Sequence, residues 1–111
     1  MERIKRRAAI AAYKERKSVA GIYTVRCAAS DEVWVGQTLD IEKVWNRIGF
    51  SLRGAANPHR ALQVAWNAHG GEAFSFEALE RLEEEPLDFV RRARLNERTA
   101  HWRAKLGASA I

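Results

Sequence analysis

Two short runs of β-branched and aromatic side chains, separated by little more than a turn, constrain this chain more than any other feature. Ile22 to Cys27 is the first run, Ala28-Ala29-Ser30-Asp31 the turn, and Val33-Trp34-Val35 the second run. Such side chains suit a pleated, half-buried surface, and so short a connection predicts an antiparallel hairpin. Gly21 precedes the first run and Gly36 follows the second, where a missing Cβ lets the backbone turn out of the sheet. With 111 residues the chain fits one domain with a single modest core, and two packed layers are the expected limit.

The remaining elements follow from periodicity and punctuation. Asp40 is placed to cap a helix whose apolar residues Ile41, Val44, Trp45, Ile48 and Leu52 share one face. Asn57-Pro58 starts a second helix, predicted from Pro58 to His69, and Gly70-Gly71 stops it. Phe74 and Phe76 alternate with Ser75 and Glu77, which predicts a third strand with one aromatic face. Carboxylates at Glu83-Glu84-Glu85 lead into Pro86, where a last helix begins and continues to Leu106, ended by Gly107. At the other end, Ile4, Ala8, Ala11 and Ala12 recur at helical spacing, so residues 2 to 17 read as an amino-terminal helix.

Hydrophobic residues make up 47% and charged residues 30%, enough apolar material for a folded globule and unlike a disordered chain. No apolar run approaches the roughly 20 residues that span a bilayer, so no membrane partner is expected and a cytoplasmic location is. Cys27 is the single cysteine, which excludes an internal disulfide and a cysteine-based zinc site; its strand position predicts a small buried hydrophobe. The net charge of +5 is carried by the first 17 residues, where Arg3, Lys5, Arg6, Arg7, Lys14, Arg16 and Lys17 outweigh Glu2 and Glu15. Such a segment collects on polyanions through counterion release, or else is simply a solvated helix face.

The strings Gly21-Ile22-Tyr23 and Trp34-Val35-Gly36 resemble the two-part signature of the GIY-YIG nucleases. Asn57-Pro58-His59, Leu62-Gln63, Trp66-Asn67, His69-Gly70-Gly71, Phe74-Ser75-Phe76 and Leu79-Glu80 follow in the order of that family's landmarks, so the resemblance runs from about Gly21 to Gly107. It implies an α/β (α+β) fold, a small three-stranded antiparallel sheet flanked by helices, with the third strand beside the hairpin. The division would be a basic helix over residues 1–18 and a nuclease-like domain over 19–108. It also implies a metal-dependent DNA endonuclease, using one Mg²⁺ or Mn²⁺.

Residue by residue, the resemblance gives Tyr23 the role of general base and Glu97, in Leu95-Asn96-Glu97-Arg98-Thr99-Ala100-His101-Trp102, the role of metal ligand. Periodicity adds that Val90, Ala93, Glu97 and Ala100 share a helical row, which would turn the carboxylate inward, toward a metal or a salt bridge to Arg94 or Arg47. Trp34 stands where the second string normally has tyrosine, and it lacks an ionisable hydroxyl. Val44 and Ile48 occupy the positions of the family's helix arginine and of a common polar group one turn later. Arg47, three residues beyond Val44, is the candidate replacement clamp. His59 follows Asn57, near where some members carry a catalytic histidine, and could donate to a phosphate. Arg91, Arg92, Arg94 and Arg98 crowd the last helix. Of these, Arg94 and Arg98, with Arg3, Arg6, Arg7 and Lys14, are the expected contacts to the DNA backbone. No base-reading module is recognisable, which leaves specificity to a protein partner. The competing reading is a catalytically inactive member kept as a nucleic-acid-binding or interaction module. A small-molecule acid–base enzyme ranks far behind, because no glycine-rich phosphate loop or paired-carboxylate motif is present.

Overall fold

A computed structural model describes residues 18–111; the predicted amino-terminal helix, with Arg3, Arg6, Arg7 and Lys14, lies outside the described residues. The hairpin forms as expected, β1 (Gly21–Cys27) pairing antiparallel with β2 (Glu32–Thr38). The third strand, β3 (Phe74–Arg81), pairs antiparallel with the other edge of β1. The sheet has four strands rather than three, because the two-residue β4 (Ser109–Ala110) adds in parallel to β2, giving the order β3-β1-β2-β4.

Alternation along β1 splits the core into two. Tyr23, Val25 and Cys27 face one side, where α1 (Val44–Arg53) and α2 (Arg60–His69) bring Val44, Ile48, Leu52, Leu62 and Ala65. Phe74 and Phe76 supply the aromatic face predicted for β3, with Phe76 at 5.3 Å from Trp45 and Phe74 at 5.2 Å from Trp66. Ile22 faces the opposite side with Val35, beneath Leu95, Trp102 and Leu106 of α3 (Asp88–Leu106). The molecule is therefore three layers deep, helix on sheet on helix, one more than the length led us to expect. Cys27 is 1% exposed, the small buried hydrophobe predicted for it.

Helix starts are shifted by local polar chemistry. Asp40 Oδ1 accepts from the amides of Glu42 and Lys43, at 3.1 and 3.3 Å, so it caps a turn and α1 proper begins at Val44. Asn57 Oδ1 accepts from the His59 amide at 2.8 Å, folding an Asx turn around Pro58 that delays α2 to Arg60. Gly70 takes a positive φ of 77°, but its ψ of 162° is extended rather than left-handed helical. The last helix begins two residues after Pro86, and Gly107, at φ 61° and ψ 38°, ends it in the left-handed conformation predicted. Among the described residues no helix is long and apolar enough to cross a membrane.

A bulge in β3 shapes both faces. Tyr23 pairs with Ala78 and Ile22 with Glu80, which leaves Leu79 as the extra residue. Two successive residues thereby serve the α3 side. Leu79 joins the Ile22 cluster, and the Glu80 carboxylate accepts from Arg98 Nε at 2.8 and 3.0 Å and from Trp102 Nε1 at 2.9 Å.

Candidate active site

Where α1 and the loop after it approach β1, a pocket opens whose walls include Tyr23, Arg47, Ile48, Ser51, His59 and Ile111. Tyr23 is 6% exposed; its ring lies against Gly36 across the hairpin and 5.6 Å from Phe76. The phenol hydroxyl makes no hydrogen bond with a described residue and is not sealed from the pocket. Burial raises its pKa above the ordinary tyrosine value, and the Arg47 cation opposes that shift without cancelling it. At neutral pH Tyr23 is therefore a neutral hydrogen-bond donor.

Arg47 reaches the pocket from the exposed side of α1, while Val44 and Ile48 are core residues, as their apolar periodicity predicted. Its guanidinium makes no ion pair with a described residue. The loop carrying His59 is pinned to both helices. Asn57 Nδ2 donates to Ser51 Oγ at 2.9 Å, the Asn57 amide donates to Gln63 Oε1 at 3.1 Å, and Gln63 Nε2 donates to the Leu52 carbonyl at 3.0 Å. The imidazole Nδ1 is buried without a hydrogen-bond partner among the described residues. Nε2 is the ring nitrogen left open to a ligand, since it makes no hydrogen bond with a described residue and is not sealed.

Two expectations need correction, the catalytic place given to Trp34 and the inward turn given to Glu97. Trp34 is 1% exposed and stacks 6.2 Å from Phe74, so it is a core residue and cannot touch a substrate. Glu97 is exposed, because α3 does not bury the row through Ala93 and Ala100. Leu95, Trp102 and Leu106 carry far more apolar area than alanines, and the helix rolls to bury them, turning Glu97 outward. Arg98 is held by Glu80 across the α3 face of the sheet, which engages it within the fold. Arg94 is exposed on α3 and lines neither the Tyr23 pocket nor the cleft described next.

Among the described residues no carboxylate lines the Tyr23 pocket, and Glu97 stands outside it. The polar groups there, a phenol, a guanidinium, an imidazole, a serine and the Asn57 amide, include no carboxylate and do not fit a hard divalent cation. Sequence reasoning passed over Ser51 and Gln37. Gln37 Nε2 donates to Asn96 Oδ1 at 3.0 Å, tying β2 to α3 along a second cleft that Arg47 also lines, with Arg91 and Arg92. A polar residue directly after the glycine of the second string was the available signal.

The two glycine-bearing strings lie side by side in the sheet, and helices cover both faces; this is the GIY-YIG superfamily fold, the fold of a class of nucleases. In particular, the chain matches the structure of the catalytic domain of the homing endonuclease I-TevI, with 27% identity, a TM-score of 0.68, and coverage of 83% of this chain and 97% of that one. A point mutant of the same catalytic domain matches with 28% identity, a TM-score of 0.67 and coverage of 80% and 84%. No family model and no curated protein sequence matches the chain. The structural likeness supports a nuclease-type function.

Proposed function

We propose that this chain is an endonuclease-type domain that grips the phosphodiester backbone of DNA in the Tyr23 pocket and hydrolyses it there. The observation that carries the reading is convergence, with Tyr23, Arg47 and His59 walling one pocket although they come from three separate segments. Arg47 is suited to clamp two non-bridging phosphate oxygens, since its fork is planar and always charged. Tyr23, kept protonated by burial, donates a hydrogen bond to the phosphate rather than acting as the base that the resemblance assigned. The outward nitrogen of His59 then takes the proton of the attacking water as the new P–O bond forms, while the P–O bond to the leaving sugar oxygen breaks and that oxygen takes a proton from solvent. Any metal requirement is separate from this pocket, and selection of particular sites on DNA is left to a protein partner.

A second reading, binding without cleavage, is favoured by the absence of a carboxylate among the described residues of the pocket and by the apolar residues Val44 and Ile48. Supercoiled plasmid separates the two. Purified protein is assayed in Mg²⁺, Mn²⁺ or EDTA, beside Arg47→Ala, His59→Ala, Tyr23→Phe and Glu97→Gln. Nicking that falls by about 100-fold in the Arg47 and His59 variants, the usual cost of one lost charge-stabilising donor, supports hydrolysis in this pocket. Equal activity in all four variants rules the pocket out, and salt-sensitive binding with no nicking establishes the binding module.

A further inference from the structure

Arg47 lines two clefts, and only one of them contains the groups that do chemistry. The second runs from the exit of β2 to the first turns of α3 and includes Gln37, Asp40, Asp88, Arg91, Arg92 and Asn96. We propose that this second cleft is a backbone-phosphate subsite, which holds the nucleic-acid strand on one side of the Tyr23 pocket with Arg47 shared between neighbouring phosphates. The proposal rests on the nucleic-acid reading above.

The charge pattern favours an anion. Three arginines face two carboxylates, and both carboxylates are occupied. Asp40 accepts the amides of Glu42 and Lys43 through one oxygen and the Ser18 hydroxyl, at 3.2 Å, through the other. Asp88 is shared by Arg91, which bonds it directly, and by Arg92 at 3.5 Å. Arg91 is further fixed by donating to the Glu85 carbonyl at 3.1 Å, whereas the Arg92 side chain is 74% exposed and able to follow a ligand. Part of the wall of this cleft is amide, Gln37 bonded to Asn96, which offers hydrogen bonds to a phosphate without a negative charge to repel it. An acidic peptide would satisfy the same arginines. Continuity with the Tyr23 pocket through Arg47 argues instead for a strand that passes through both.

The test is anisotropy of a short fluorescent DNA duplex titrated with the protein in EDTA, between about 50 and 200 mM salt. Beside the wild type stand Arg92→Ala and, as a control on the far end of α3, Arg103→Ala. The expected result is weaker binding by Arg92→Ala for every sequence tried, a slope of log affinity against log salt shallower by about 0.9, and an unchanged Arg103→Ala. In the plasmid assay the same variant should raise KM and leave kcat unchanged. Wild-type binding with an identical salt slope in Arg92→Ala would overturn the subsite and leave the Tyr23 pocket standing. No wild-type binding to DNA would overturn both, as would an acidic peptide that binds at this cleft while DNA does not compete.

Discussion

Glycine at the end of the second string has a steric reason that is visible only in three dimensions. Gly36 pairs with Tyr23, and a Cβ built at Gly36 would sit 2.5 Å from the ring carbon bearing the hydroxyl. At Gly21 a Cβ would lie 2.4 Å from the Glu80 carbonyl oxygen, at the bulge. Each glycine is thus required by a different close approach, Gly36 by the Tyr23 ring and Gly21 by the backbone of β3, legible in sequence as a pattern but not as a cause. Gly36→Ala should destabilise the fold by about 1–3 kcal/mol and displace Tyr23, as read by urea denaturation. Gly54→Ala, where the nearest atom lies at an ordinary 3.5 Å, should stay within about 0.5 kcal/mol of the wild type. The raised pKa of Tyr23 carries a signed consequence. Its stabilisation is fully present below the unfolded tyrosine value near 10 and is lost as pH rises through the higher folded value. Thermal denaturation should therefore show an alkaline loss of stability that Tyr23→Phe lessens.

At the scale of the element, α3 separates what periodicity reveals from what it hides. Hydrophobic spacing placed α1 correctly, since Val44, Ile48 and Leu52 are all buried. It misjudged the roll of α3, because an arginine-rich helix with scattered alanines offers several narrow rows, and only packing shows that Leu95 and Trp102 win. The fourth strand was illegible for a simpler reason. Two residues carry no alternation. What fixes the roll of α3 is also polar, the Glu80 carboxylate receiving Trp102 and Arg98. Burial works against that charge, yet the bonds from Trp102 and Arg98 outweigh it and hold the carboxyl below its usual range. The depressed value means that its contribution is present above the unfolded glutamate pKa of about 4.3 and is lost as pH falls through the folded one. Glu80→Gln should lower the melting temperature at pH 7, with the gap from wild type closing at pH values below the folded pKa. A gap that persists there would show that charge is not what holds the helix.

Across the whole molecule, the sheet separates two jobs. One face and its pair of helices build the Tyr23 pocket, while the other face is closed by α3, whose first turns return to meet Arg47 at the second cleft. Residue patterning predicted the hairpin and the third strand, and the resemblance placed that strand beside β1; Tyr23, Arg47 and His59, singled out in the sequence, line one pocket. Neither patterning nor resemblance could predict that Glu97 would lie outside, since that depends on how bulky residues elsewhere on α3 settle. The solitary thiol of Cys27, enclosed in the middle layer, gives this architecture an internal clock. A maleimide reagent can reach that sulfur only when the layers part, so native-state labelling times the opening of the protein, without denaturant. If nucleic acid binds only the closed form, saturating oligonucleotide should slow the labelling by the factor of one plus ligand concentration over Kd. A thiol modified equally fast with and without oligonucleotide would mean that binding and closure are independent.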